Sequence, residues 1–195
     1  MKFKKGSAYM YYNKEALTEC FASWNEISKK QTLPDWDHLP GIDLYMDQVI
    51  TLVTEYISSL NPSTQDSVPV TQSMINNYVK FKTMPAPVKK KYSKTHLAYI
   101  IMICILKQTL SMDAIHKIIP AGIEEEEVKS IYNSFVKNQN KAFQYVTEQT
   151  AVIAEPILKN EGDNQERLND LVMQVASSAN IFKSLIEKII ASQSE

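Results

Sequence analysis

The sequence predicts an all-α fold: a helical bundle with a C-terminal helical region. Apolar residues recur at three- and four-residue steps through most of the 195-residue chain, and this is the spacing of one helical face. The chain is 44% hydrophobic, so it can bury a sizeable core. It has only 4 Gly and few alternating β-branched runs, and we therefore expect at most one very small hairpin.

The first helix is predicted from a cap at Asn13 to about Lys29, with these residues on its apolar face: Leu17, Cys20, Phe21, Trp24 and Ile27. Cys20 and Cys104 both lie in apolar periodic stretches, which predicts two reduced cysteines in the core of a cytoplasmic protein. No apolar run of signal-peptide length follows the basic N-terminus. The longest apolar run, 97–106, has 10 residues, about half a membrane span, so we expect no membrane partner.

Pro34 and Pro40 bracket a loop that cannot be helical throughout. The loop contains three side chains of types that bind metals: Asp35, Asp37 and His38. Because no second ligand cluster with suitable spacing is visible, we expect no metal site. The pattern favours an acidic turn with Trp36 packed beneath it.

A long amphipathic helix is predicted from Ile42 to Leu60, where these residues follow helical spacing: Tyr45, Val49, Leu52, Val53, Tyr56, Ile57 and Leu60. Asn61 and Pro62 end this helix. The polar segment that continues to Pro69 is predicted to be a loop, longer than the tight turn of a minimal helix-turn-helix.

A short helix capped by Thr71 follows, and its apolar face comprises Met74, Ile75, Tyr78 and Val79. The opposite face is polar and includes amides, which can pair with adenine in the major groove of DNA. We therefore predict five base-reading candidates: Gln72, Ser73, Asn76, Asn77 and Lys80.

Pro85 and Pro87 prevent the helix from continuing, and residues 89–92 are predicted to form a short extended tip. Ser93 then caps an apolar helix that runs to about Gln108 and forms the centre of the core. The candidates for binding DNA phosphates lie in and around the tip: Lys82, Lys89, Lys90, Lys91, Tyr92 and Lys94.

The charge distribution supports this interpretation. Residues 67–112 contain seven lysines and no acidic residue, so the segment carries +7 while the whole chain carries −1. A contiguous positive patch both attracts and holds a phosphate backbone. The alternative is a solvated helix face beside a soluble loop, which is what a run of charge most often means.

Ser111 is predicted to cap a short helix through Ile119, which Pro120 and Gly122 close. The composition then changes, because residues 124–195 contain 12 acidic and 7 basic side chains. We therefore divide the chain into a helix-turn-helix-like domain with N-terminal helices, 1–122, and an acidic dimerisation or regulatory region, 123–195.

Two helices are predicted at the start of the acidic region. The first begins at residues 124–127, where negative charge favours a helix start, and it continues with Val128, Ile131, Tyr132, Phe135 and Val136. The second holds Phe143, Val146, Thr150 and Ile153, before Pro156 interrupts or kinks it.

The last helix has a 3.5-residue apolar repeat over three heptads, which predicts a helical seam. The dimer-seam candidates are Leu168, Val172, Val175, Ala179, Phe182, Ile186 and Ile189. The same repeat fits packing against the preceding helix inside one monomer equally well.

Three stretches carry a family resemblance: LPDWDHLPGIDLYMDQVI, TQSMINNYVK and KKKYSKTHLAYIIMICILKQ. From Leu33 to about Gln139 the chain resembles a bacterial family known only as a domain of unknown function. That family has no established biochemical activity, so the resemblance does not point to one. More distantly, Thr71 to Tyr78, the prolines, Tyr92 and the helix from Ser93 look like the winged helix-turn-helix of MerR-type regulators. That resemblance implies that the helical bundle has a winged helix-turn-helix-like core, with a recognition helix and a basic wing.

These features predict a DNA-binding transcriptional regulator whose partner is double-stranded DNA and which forms a homodimer. The alternatives are a helical protein-interaction module without nucleic-acid binding, and an enzyme or small-molecule binder. The sequence contains no Gly-rich phosphate loop, no Gly-flanked Ser elbow and no His pair one helical turn apart. We therefore expect neither catalytic residues nor a cofactor.

Overall fold

The structure is a computed structural model that describes residues 11–29, 33–58, 70–160 and 164–193. These residues form seven α-helices, a 3-10 turn (Trp36–His38) and two short strands, β1 (Leu44–Tyr45) and β2 (Lys91–Tyr92). The helices are α1 (Lys14–Lys29), α2 (Met46–Ser58), α3 (Gln72–Lys80), α4 (Lys94–Leu106), α5 (Met112–Ile118), α6 (Glu125–Lys159) and α7 (Gln165–Ser192). The predicted all-α class is confirmed.

Helix α4 is the centre of the core, as its sequence predicts. Every residue from His96 to Cys104 is buried, because the helix is apolar on all sides and needs cover on all sides. Ser93 caps its start in a capping box, in which the backbone N–H of Ser93 donates to His96 Nδ1 at 3.0 Å. Helices α2 and α6 and strand β2 pack around it.

The main hydrophobic cluster continues past residue 122 into the first half of α6, where Val128, Tyr132 and Val136 are buried. The Tyr132 hydroxyl donates to the Pro34 carbonyl at 2.9 Å, and its ring meets Trp36 edge-on at 6.4 Å. The acidic turn with Trp36 beneath it is therefore confirmed. The two regions defined by composition share this core.

The start of the second helix differs from the prediction. Leu44 and Tyr45 form β1, which pairs antiparallel with β2, so α2 begins at Met46 and not at Ile42. Tyr45 is 56% exposed and does not belong to the apolar face of α2. The predicted end of this helix (Leu60, Asn61 and Pro62) and the loop to Pro69 lie outside the described residues.

Two further predictions are wrong. Cys20 is exposed, because α1 covers the bundle from outside and has no fully buried residue of its own; Cys104 is buried as predicted. The two helices predicted for residues 124–156 form the single 35-residue helix α6. Pro156 lies in its last turn and does not end the helix, which continues to Lys159. Ala154 and Ile157 on either side of it pack with Leu171 in a second apolar cluster.

No helix in the described part of the chain combines the length and the apolar character needed to span a bilayer.

Candidate nucleic-acid interface

Helix α3 packs on the core by its apolar face, with α2 as its main helical neighbour and Tyr78 reaching α4. Thr71 caps it, since its Oγ1 accepts from the Met74 N–H at 3.2 Å, and Ile75 and Tyr78 are buried. The Tyr78 hydroxyl lies 3.9 Å from Cys104 Sγ. Burial raises the pKa of Tyr78, and burial raises the pKa of Cys104 to about 11, so both groups stay neutral at ordinary pH.

The opposite face of α3 is open to solvent. Its five polar members are exposed, as the sequence predicts: Gln72, Ser73, Asn76, Asn77 and Lys80. Within the described residues none of these side chains forms a hydrogen bond to another part of the protein, so their donors and acceptors are free to meet a ligand. The face offers two adjacent amides and one cation.

A lysine closes α3 in a conformation that usually selects glycine. The Lys82 N–H donates to the Val79 carbonyl and the Thr83 N–H to the Tyr78 carbonyl, which together form a Schellman motif. Lys82 therefore has φ +56°. The motif leaves Phe81 65% exposed, with Lys80 Nζ 5.8 Å from its ring centre.

The lysine tip is a tight turn and not the predicted extended segment. Val88 and Lys91 exchange two backbone hydrogen bonds, and the two residues between them, Lys89 and Lys90, have φ +51° and +63°. Positive φ at both central residues is what a type I′ turn requires. The tip is therefore the end of a small wing, residues 81–92.

The wing is fixed to the N-terminal end of α4. His96 Nε2 lies 3.2 Å from the Ala86 carbonyl, and its ring meets Tyr92 edge-on at 5.6 Å. Burial lowers the pKa of His96, and the Ala86 contact and the Asp43 carboxylate oppose this shift. The anchors of the wing and of α3, His96 and Cys104, are eight residues apart on one helix, or about 12 Å along its axis.

One of the residues predicted to contact phosphate lies in the core of the protein. Tyr92 is only 3% exposed, because it pairs with Leu44 in the sheet and packs on His96. Lys91 is half-buried with its Nζ 5.4 Å from the Tyr45 ring centre, and Lys94 lies 5.7 Å from the Trp36 ring centre. The remaining candidates, Lys82, Lys89 and Lys90, are exposed.

In the part of the chain that the structure describes, no lysine of residues 67–112 takes part in an ion pair. Six of the seven lie on α3, on the wing or at the start of α4. The seventh, Lys107, follows α4 directly, where the negative end of the helix dipole favours a cation. We call the six lysines other than Lys107 the basic surface. Within the described residues, none of them is neutralised by an ion pair with an acidic side chain.

A family profile, Domain of unknown function (DUF1836), matches residues 34–135. The chain belongs to the DUF1836 family. No curated protein and no solved structure matched it. The DUF1836 region includes α2, α3, the wing, α4, α5 and the start of α6, and it therefore contains the whole basic surface.

Two exposed aromatic residues of the DUF1836 region were missed by the sequence interpretation. Tyr45 sits under Lys91, and Phe81 sits between Lys80 and Lys82. The sequence signal for Phe81 was its position directly after Lys80, outside the apolar stripe of α3 that ends at Val79. Tyr45 shows no such signal, because its exposure depends on a strand pairing 46 residues away.

The predicted dimer seam lies outside the DUF1836 match. Leu168 is buried, and Ile186 packs partly against the main core. The other five seam residues are exposed: Val172, Val175, Ala179, Phe182 and Ile189. A groove of about 370 Å³ lies between α6 and three of these residues, Val175, Ala179 and Phe182, and Tyr145 lines it on the α6 side.

Among the described residues, no group of three or more His, Cys, Asp or Glu side chains is close enough to hold a metal ion. In the turn at Asp35, the carboxylate lies 2.6 Å from His38 Nδ1. This hydrogen bond lowers the pKa of Asp35. The Asp35 carboxylate also accepts from the backbone N–H of His38 at 3.1 Å and so caps the 3-10 turn.

Proposed function

We propose that this DUF1836 protein is a DNA-binding transcriptional regulator with a MerR-like winged helix-turn-helix. The strongest support is the combination of an exposed amide face on α3 with unpaired lysines on the wing, both attached to the rigid helix α4. A rigid scaffold matters because base readout requires side chains held in a fixed position. The protein acts on double-stranded DNA in the cytoplasm.

In this proposal α3 enters the major groove. Asn76 and Asn77 face base edges, where an amide can bond adenine at N6 and N7, while Gln72, Ser73 and Lys80 flank them. The exposed lysines of the wing contact phosphates, which provides affinity without reading sequence. Phe81 packs against sugars or thymine methyl groups at the edge of the contact.

The proposal includes a homodimer that pairs through α7. DNA half-sites are commonly related by two-fold symmetry, and a symmetric dimer places one recognition helix on each. The exposed apolar residues of α7 support this assignment, because a row of them at heptad spacing gains stability only when a second helix covers it.

The phosphate contacts are tested by salt dependence. Changing Lys89, Lys90 and Lys91 to Ala should flatten the slope of log K against log salt by about 2 to 3 units, because each contact releases about 0.9 counterion. The matched control changes three exposed lysines of the acidic region, Lys137, Lys141 and Lys188, and should leave the slope unchanged. Equal slopes for both triple variants would remove the wing from the proposal.

Base readout is tested by selecting bound sequences from a random DNA library. Asn77→Ala should weaken the preferred site by about 1 to 3 kcal/mol and relax one base position, with non-specific binding little changed. Lys89→Ala should weaken all sequences alike. If the wild type enriches no motif, or if Asn77→Ala enriches the same motif equally strongly, Asn77 does not read bases.

One observation favours the alternative of a protein-interaction module: apolar side chains of α7 remain exposed over five turns. In that case the lysines only keep the wing soluble. The ratio of absorbance at 260 and 280 nm in purified protein separates the two functions. Nucleic acid that copurifies and is lost in high salt supports the regulator, and its absence together with captured protein supports the module.

A further inference from the structure

A cavity of about 720 Å³ lies between α4, α5, α6 and α7, away from the basic surface. Its apolar walls include Met102 and Leu106 of α4, Ile119 after α5, and Phe135 of α6. Ile186 of α7 closes one side. Cavities of this size that bind small molecules are lined mainly by apolar groups, with a few polar groups that fix orientation.

The polar groups of this cavity come from one stripe of α6. Ser130, Ser134 and Asn138 are spaced by four residues, so they lie above one another on the same face of the helix, and Gln139 lies beside them. In the described structure none of the four side chains hydrogen bonds to another residue. Two hydroxyls and two amides are therefore available along one wall.

The lining contains no charged side chain. The cavity is open to solvent along α6, where Ser130, Ser134 and Asn138 are exposed. An anionic or cationic ligand would still lose part of its hydration against the apolar wall and gain no opposite charge from the lining, which is unfavourable. A neutral ligand avoids that loss, and its hydroxyl, carbonyl or amide groups can pair with the stripe on α6. The lining of the cavity therefore favours neutral ligands over charged ligands of the same size.

We propose that this cavity binds a neutral, largely apolar small molecule that carries one or two hydrogen-bonding groups. The ligand lies between the apolar wall of α4 and α5 and the polar stripe of α6, beneath Ile186. Its floor, α4, is the helix that also carries the anchors of the wing and of α3. This binding site is independent of whether the basic surface binds DNA.

The site can be tested with a matched pair of fluorescent dyes. N-phenyl-1-naphthylamine is neutral, and 8-anilinonaphthalene-1-sulfonate is the same skeleton with one negative charge. We expect the neutral dye to bind the wild type about tenfold more tightly or better, because a sulfonate finds no cation in the cavity. Titrations excited at a wavelength that tryptophan does not absorb measure both dissociation constants.

Three tryptophan variants locate the bound dye. Ala142 lines the cavity and is exposed, so Ala142→Trp fills the space and should weaken the neutral dye about tenfold or more. Ala151→Trp is the matched control, at an exposed position of the same helix outside the cavity. Ser178→Trp fills the separate groove between α6 and α7. Both controls should bind within about twofold of the wild type.

Circular dichroism checks that each variant is folded, and Ser134→Trp, at another exposed position of the lining, replaces Ala142→Trp if that variant unfolds. Loss of neutral-dye binding confined to the cavity variant supports the site. Wild-type affinity in that variant, loss in Ser178→Trp instead, or no dye binding by the wild type overturns it. Equal affinity for both dyes overturns the neutral ligand class.

Discussion

Helices α4 and α7 are both rich in apolar residues, yet they lie in opposite environments. All residues of α4 from His96 to Cys104 are buried, whereas in α7 only Leu168 and Leu171 are. Helix α4 is covered on all sides, whereas α7 packs mainly against α5 and α6 and leaves most of its surface open to solvent. The apolar composition of a helix thus predicts that other elements must shield it from water. It does not predict whether those elements belong to the same chain.

The sharpest test of this difference replaces an isoleucine in each helix. Ile101 is 0% exposed and Ile181 is 66% exposed. Ile101→Ala leaves a cavity in the core and should lower the free energy of unfolding by about 2 to 5 kcal/mol. Ile181→Ala should change it by about 0.5 kcal/mol or less. Urea denaturation at one protein concentration measures both values.

Similar losses for the two variants would show that α7 is as well covered as α4. In that case its apolar residues already have a partner, and a loss that grows with protein concentration would identify a second copy.

The sequence interpretation was accurate for features that depend on residues nearby in the chain and less accurate for features that depend on distant residues. Helices α3, α4 and α5 begin where Thr71, Ser93 and Ser111 predict them, because a cap acts on backbone groups within three residues. Strand β1 was missed, since two residues carry no periodicity and pair with a distant segment.

Burial depth was the weaker part of the prediction. Periodicity places Cys20 on the inner side of α1 but does not reveal that α1 is peripheral. It also could not show that Tyr92 enters the core through its strand pairing. The polar face of α3 was predicted correctly, because one amphipathic helix on a core needs only local information.

The second prediction asks whether another copy covers α7. Val175 is 41% exposed in the groove face, so Val175→Lys should be tolerated by the monomer. A lysine from each copy at a two-fold seam would be desolvated, and we expect the dimer dissociation constant to rise about tenfold or more. Light scattering across a concentration series measures it.

The matched control is Ser177→Lys, an exposed position of α7 outside the heptad seam, which should leave the dimer intact. A wild type that is monomeric at tens of micromolar, an order of magnitude above typical obligate-dimer constants, contradicts the dimer. A Val175→Lys variant that unfolds indicates that the seam packs within one monomer.

The third prediction concerns the buried end of α4. His96 accepts at Nδ1 from the Ser93 N–H, so the folded state holds the neutral ring, and burial lowers the pKa of His96 below its usual 6.5. As pH falls below about 6.5, the unfolded chain binds this proton before the folded protein does. The free energy of unfolding should therefore fall with pH, by at most about 1.4 kcal/mol per pH unit from this residue.

The comparison variant is His96→Gln, because Gln at this position of a capping box can bond the Ser93 N–H without titrating. The difference between wild type and variant isolates His96 from His38 and His116, which both proteins share. Above pH 7 the difference should be constant. A difference that stays constant down to pH 5 contradicts a buried neutral ring.

The smallest effect is expected at the wing tip. Its backbone conformation is unfavourable, as is the exposure of apolar side chains on α7. Lys89 and Lys90 both have positive φ, which is unfavourable for a residue with a Cβ, and type I′ turns usually select Asn and Gly instead. Replacing them with Asn and Gly should raise the free energy of unfolding by about 0.5 to 1 kcal/mol. The same change should lower the salt slope of DNA binding by about 2 units.

The double alanine variant at the same two positions separates strain from charge. It removes both cations but keeps a Cβ in each left-handed position, so its stability should stay near that of the wild type while its salt slope falls equally. If the Asn-Gly turn adds no stability, the tip is not strained. If it adds stability and the slope does not change, the lysines do not contact phosphate, and solubility alone must account for cations placed in an unfavourable turn.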